Sequence, residues 1–175
     1  QRYSVGSYSQ WLAEQAIGVL FPEDAEYSML LRQAAVTPMP LYYRGDQRLL
    51  RAETPIAVVG SRRTTVYGER ATKSIVRQLS YGGATIVSGF MYGIDTLAHQ
   101  EAIKAGGATI AVLGFGFGQM FPASHQRLLD YFLQRGALFV SQFAPGAPPP
   151  ANNFPARNKV VAGLSRAVVV PAAAR

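Results

Sequence analysis

Between Ile56 and Gly114 the chain reads as two strand–glycine-turn–helix units followed by a third strand. Ile-Ala-Val-Val-Gly-Ser-Arg-Arg (56–63) leads into a helical stretch. Ala-Thr-Ile-Val-Ser-Gly (84–89) is followed by a short loop, Gly93-Ile94-Asp95 and a second helix. Ala-Thr-Ile-Ala-Val-Leu-Gly (108–114) is the third strand. Alternation of this kind leaves few foldings open. It predicts an α/β protein with a mostly parallel sheet covered by helices on both faces, and ligands bind beyond the carboxyl ends of such strands. Ser61, Arg62, Arg63, Ser88, Gly89 and Gly114 then fall along one rim.

The first long helix is expected from Val66 to Ser80. Ala71, Ile75 and Leu79 make its buried face, with Thr72 and Val76 beside them. Arg70, Lys73 and Arg77 form a basic stripe opposite, for which a solvated helix face is the simpler account. The second helix is expected from near Gly93 to about Ala105, with Ile94, Leu97, Ala98 and Ala102 inward. The third takes Ser124 as N-cap, Leu128, Leu129, Phe132 and Leu133 as core face and Gly136 as stop. A fourth strand (Ala137–Gln142) follows, then a stiff loop over 143–155 containing five prolines. A short helix from Arg157 through Leu164 and a last strand, Ala167–Val170, complete the unit.

Residues 1–55 read as a lead-in segment packed on this 56–175 core. Short helices are expected over Ser9–Val19 and 25–35. Thr37-Pro38-Met39-Pro40 is expected to be extended, and Leu41–Asp46 to form a strand and turn. The chain begins with Gln1, and a sheet of this type ordinarily covers its final strand with a helix. Continuation of the natural protein beyond Arg175 is therefore expected.

With 175 residues, 49% of them hydrophobic and 15% charged, the chain suits one globular domain with a sizeable core. No apolar run reaches bilayer length and no signal-peptide pattern is present, which points to the cytoplasm and to no membrane partner. The absence of cysteine excludes disulfides, Cys-ligated zinc and thiol catalysis. Charge is distributed unevenly. Residues 1–55 hold five Lys/Arg against six Asp/Glu, whereas residues 56–175 hold twelve against four. All of the net +7 charge thus resides in the α/β part, and an excess of that size favours a polyanionic partner.

Gly60-Ser61-Arg62-Arg63 occupies the place of a dinucleotide-binding glycine fingerprint but lacks its spacing. Gly114-Phe115-Gly116-Phe117-Gly118 lacks it too, so no dinucleotide cofactor is expected. Phosphate recognition by other means is open. Arginine presents a planar fork of donors to phosphate oxygens, Ser61 and Ser88 add hydroxyls, and Gly89 and Gly93 let backbone amides approach. Asp95 and His99, one helical turn apart, could form a catalytic dyad. A buried hydrogen bond tying helix to loop is the preferred reading, with Asp95 orienting the loop or bonding Arg62 or Arg63. Phe154-Pro155-Ala156-Arg157-Asn158-Lys159 joins an aromatic ring to cations. On this basic chain the combination points to unpaired bases stacked on the ring and phosphates held beside it, although core packing would equally suit Phe154 alone. No metal site is indicated.

Taken in order, these segments resemble a known family. Val59-Gly60-Ser61-Arg62-Arg63 with Tyr67-Gly68, Ser88-Gly89 with Gly93-Ile94-Asp95 and Ala98-His99, Thr109–Gly114, Pro145-Gly146, and Phe154–Lys159 with Ala162-Gly163-Leu164-Ser165 are similar to the bacterial DNA-processing protein A (DprA/Smf) family, over roughly 40–170. The resemblance implies an extended Rossmann-like fold, single-stranded DNA held in a basic pocket, self-association as a homodimer, and loading of a RecA-type recombinase during natural transformation. It makes Arg62 the central DNA contact, with Phe154, Arg157, Asn158 and Lys159 lining the pocket and Gly60, Ser61, Ser88, Gly89 and Gly93 shaping it. Gln142 and Pro171 stand where glutamates are common in the family, which weakens carboxylate catalysis. The alternative is a nucleotide-processing enzyme of the related phosphoribohydrolase type.

Overall fold

The computed structural model describes residues 5–35, 37–118, 120, 122–147 and 152–173. Seven strands form one sheet: β1 (Gly18–Leu20), β2 (Leu41–Gly45), β3 (Pro55–Val58), β4 (Thr85–Gly89), β5 (Thr109–Leu113), β6 (Leu138–Ser141) and β7 (Ala167–Val169). Their spatial order is β1-β2-β6-β5-β4-β3-β7. The five strands from β6 to β7 run parallel, and β2 and β1 add antiparallel to the β6 side. The α/β architecture read from the sequence is the one observed. The first 55 residues also contribute two strands to the same sheet.

Six helices accompany the strands: α1 (Val5–Glu14), α2 (Met29–Arg32), α3 (Val66–Tyr81), α4 (Ile94–Lys104), α5 (Gln126–Leu133) and α6 (Asn153–Gly163). Alternate side chains of the central strands feed two cores. Ala57, Val87, Ile110, Val112, Leu138 and Val140 pack with Leu31 of α2 and Val160, Val161 and Leu164 of the α6 segment. On the opposite face, Ala111, Leu113 and Phe139 meet Leu129 and Phe132 of α5, while Val58 and Ile86 meet Val76 of α3 and Ile94, Ala98 and Ala102 of α4. Near-continuous apolar strands are what a sheet buried on both faces requires.

Several boundaries differ from expectation. The first helix ends at Glu14, because Ala16 adopts φ 53° and the Ile17 amide donates back to Leu12 O at 2.9 Å. This left-handed cap is formed by alanine, so the usual glycine stop signal was missing from the sequence. Over 25–35 only Met29–Arg32 is α-helical; Ser28 caps it by accepting from the Leu31 amide. The buried centre of α3 is Gly68, Thr72, Val76 and Ser80; Thr72 and Val76 lie on the expected face, whereas Ala71, Ile75 and Leu79 are only partly buried. Small residues let α3 approach its neighbours closely. A side chain on Gly68 would meet Ala172, and one on Gly107 would meet Ser80. Ser124 lies inside a 3-10 turn, Ala123–His125, and does not cap α5. Finally, α6 begins at Asn153, four residues before the expected Arg157, because Pro155 sits in its first turn, where no intrahelical donor is needed. Pro148 to Pro150, at the centre of the expected stiff loop, lie outside the described residues.

Phe132 is wholly buried and touches the rings of Phe90 and His99. Phe132→Ala is expected to lower unfolding free energy by about 3–5 kcal/mol in chemical denaturation; a loss below about 1 kcal/mol would show that the core closes over the gap.

Candidate nucleic-acid interface

The carboxyl ends of β3, β4 and β5 open onto one rim, built by three loops and the first turns of α4 and α6. The loop after β3 is held from both sides. The Ser61 amide donates to Ala172 O at 3.0 Å, and the Ile94 amide donates to Ser61 O at 3.2 Å. Gly60 has no room for a side chain against Ala172 O and Ile94. Gly93 adopts φ 81°, and a Cβ there would lie 2.7 Å from Arg62 O. Only glycine combines that backbone with that proximity. The Ser61 hydroxyl donates to Arg63 O at 2.6 Å and lies 3.2 Å from the Arg63 amide, shaping the turn.

This anchoring leaves Arg62 and Arg63 exposed at the rim. The Arg62 guanidinium lies over the Phe154 ring, 5.3 Å from its centroid, a cation–π arrangement. Phe154 is half-buried against Gly114, where a Cβ would come within 2.9 Å of the ring. Asn158 is exposed on α6 one turn beyond Phe154. Among the described residues no carboxylate stands within ion-pair distance of Arg62 or Arg63.

Arg157 behaves otherwise. It is only 4% exposed and is not part of the surface. Nη1 donates to Val112 O at 2.9 Å, and Nη2 lies 3.7 Å from the Asp95 carboxylate. The guanidinium occupies the hollow over Gly89, where a Cβ would collide with it and with Asp95. The expectation that Arg157 faces ligand is therefore corrected: it ties α6 to β5 and faces α4. The same holds for Ser88, which is buried and donates its hydroxyl proton to Val58 O at 2.6 Å. A residue in the middle of a sheet covered on both faces has no route to a phosphate. Lys159 is exposed but turns away from Arg62, lining a cavity of about 540 Å³ with Leu30, Ala34 and Gly163.

Asp95 and His99 do not form a dyad. His99 is fully buried, and Nε2 donates to Gly89 O at 2.6 Å. Burial lowers the ring's pKa to about 4, and Nδ1 lies 2.7 Å from the Thr109 hydroxyl, which also reaches Ile86 O at 2.9 Å. His99 thus fastens α4 to β4 and β5 and not to a loop as expected, and the ion-pair partner of Asp95 is Arg157, not Arg62 or Arg63. The Gly114–Gly118 run is a packing device: the Gly116 amide donates to Ala147 O at 3.0 Å and the Gly118 amide to Pro145 O at 2.8 Å. Tyr92, half-exposed just before Gly93, carried no signal in the sequence beyond its residue type.

A family model described as DNA recombination-mediator protein A matches residues 18–175. The chain belongs to this family. Protein Smf of Escherichia coli is 40% identical over 174 residues, 99% of this chain and 46% of that protein. DNA processing protein DprA of Streptococcus pneumoniae is 41% identical over 133 residues, 76% of this chain and 46% of that protein. The crystal structure of the pneumococcal DprA matches with a TM-score of 0.81 at 36% identity, covering 93% of this chain and 57% of the other. A structure of the Helicobacter pylori protein, determined for its single-stranded DNA binding mode, matches with a TM-score of 0.79 at 29% identity, covering 90% of this chain and 69% of the other. The chain spans less than half the length of these two curated relatives. No described helix is long and apolar enough to cross a membrane.

Burial raises the Asp95 pKa to about 6 from its ordinary 3.8, opposed by the Arg157 charge. At 3.7 Å the pair is too far apart to hydrogen-bond, so desolvation outweighs attraction. The folded state therefore favours the protonated acid. This contribution to stability is complete below pH 3.8 and is lost as pH rises through about 6. Asp95→Asn is expected to flatten that stretch of the stability–pH curve in urea unfolding; an unchanged slope there would assign it to another group.

Proposed function

We propose that this chain binds single-stranded DNA across the rim, without catalysis. The observation that carries the reading is the exposed Arg62 guanidinium above the Phe154 ring, with no carboxylate at ion-pair distance among the described residues. An aromatic face accepts any base, and an arginine beside it holds the backbone phosphate, so recognition is largely independent of sequence. Arg63 adds a second cation and Asn158 a polar group one turn past Phe154. Gly60, Ser61, Gly89 and Gly93 act indirectly, by letting the loops and the buried Arg157 close up. The Helicobacter pylori relative's single-stranded DNA binding mode supports the reading. The family description as a recombination mediator supports a further step, in which the bound strand is passed to a RecA-type recombinase in natural transformation, with the protein acting as a homodimer in the cytoplasm.

A nucleotide-hydrolysing enzyme has less support. Asp95 is buried against Arg157, and Glu101 is buried between Arg77 at 3.3 Å and Lys104 at 3.1 Å. Neither of these carboxylates is free to act on a ligand, and the exposed Glu69 carboxylate is held by the Thr64 hydroxyl at 2.7 Å. Release of base from nucleoside monophosphates would overturn the non-catalytic reading.

Arg62→Ala is expected to weaken binding to all single-stranded oligonucleotides alike. It should reduce the slope of log affinity against log salt by about 0.7, the loss of one phosphate contact. Fluorescence anisotropy across a salt series measures both. A loss confined to one base sequence, or affinity indifferent to salt in the wild type, would contradict the mechanism.

A further inference from the structure

Tyr92 lies on the same rim as Phe154, on the other side of the 60–63 loop. Its ring is 50% exposed yet firmly placed. The hydroxyl is 3.0 Å from the Ser124 hydroxyl, and the ring meets His125 edge to face at 4.9 Å. His125 in turn meets Phe90 at 5.0 Å, and Phe90 meets Phe139 of β6 at 5.0 Å, both edge to face. A file of four rings therefore runs from the sheet's core to the surface and ends at Tyr92. Rigid aromatic groups lose little entropy on contact with a ligand, which is what makes them anchors.

The surroundings select the ligand. A cavity of about 260 Å³ is lined by Tyr92, Thr64, Glu69, Gly93, Thr96 and Gln100, among others. It is smaller than the roughly 300–1,000 Å³ of pockets that enclose drug-sized ligands, and suits one planar group. The Glu69 carboxylate, held at 2.7 Å by the Thr64 hydroxyl, repels phosphate but accepts from base amino groups. The cations lie one step away. The Arg62 main chain abuts Gly93, while its guanidinium reaches over Phe154. The Arg62 backbone thus adjoins the Tyr92 side of the rim while its charge lies over Phe154 on the other.

We propose that Tyr92 is a second base-stacking platform, on which an unpaired base farther along the strand from the Phe154 base rests, with the intervening phosphates held at Arg62 and Arg63. This rests on the single-strand reading above and extends the site across the rim from the α6 side to the α4–α5 side.

The test is a series of fluorescein-labelled oligodeoxycytidylates, whose bases carry an amino group, from a tetramer upward, titrated by anisotropy with wild type, Tyr92→Ala, Tyr92→Trp and Phe154→Ala. Phe154→Ala is expected to weaken binding at every length. Tyr92→Ala is expected to match wild type on the shortest strand that binds and to fall behind by roughly tenfold once the strand reaches the second platform. Tyr92→Trp, which keeps a stacking face, is expected to retain wild-type affinity. Equal affinity of Tyr92→Ala and wild type at all lengths overturns the second platform and leaves the single-strand reading standing. Equal loss at all lengths in both Tyr92 variants shows a structural role and also overturns it. Failure of the wild type to bind at any length overturns the single-strand reading itself.

Discussion

The rim depends on a charge that never reaches it. Arg157 extends from α6 beneath the rim, donates to a carbonyl of β5, fills the hollow that Gly89 leaves at the end of β4, and faces Asp95 at the start of α4. Four elements converge on one guanidinium. A buried cation is costly unless it is paired, and removing one member of such a pair typically costs about 3–5 kcal/mol. The arrangement is therefore specific: α6 sits where its Phe154 packs on Gly114, and α4 where Gly93 packs on the Arg62 backbone. The surface pair of Arg62 and Phe154 is a consequence of that buried register.

Burial also sorts residues of the same type into different roles. Arg62 and Arg157 are both arginines near strand ends, and both influence Asp95. One is exposed, with no carboxylate at ion-pair distance among the described residues; the other is walled in by a carbonyl and a carboxylate. Ser61 and Ser88 divide in the same manner, one shaping an exposed turn and the other bonding a neighbouring strand. Asp95 lies inward, against Arg157, with Arg62 also near enough to influence it.

Much of this was legible in the chain. The alternation of apolar strands and helices over 56–114 announced the parallel sheet, since strands buried on both faces must be almost wholly apolar. The glycines at 60, 89 and 93 marked close approaches. The errors are of one physical kind. Arg157 and Lys159 looked alike in sequence; one faces the hollow over Gly89 and the other the α2–α6 cavity, and two positions on a helix face different directions. The buried face of α3 keeps the expected Thr72 and Val76 but is centred toward Gly68 and Ser80, because close helix packing selects small residues, which hydrophobic periodicity undervalues. Tyr92 was overlooked because its support, through His125, Phe90 and Phe139, comes from three separate segments.

Sequence alone determined the class of fold, the edge onto which the loops after the parallel strands open and the positive charge balance of residues 56–175, because each follows from local periodicity and composition. Tertiary structure decided which polar groups remain available. Access to solvent is set by what other parts of the chain lay over a residue, and nothing in a residue's immediate neighbours specifies that. Gly89 and Val112 make an interior place for Arg157, whereas the loop that carries Arg62 is left uncovered.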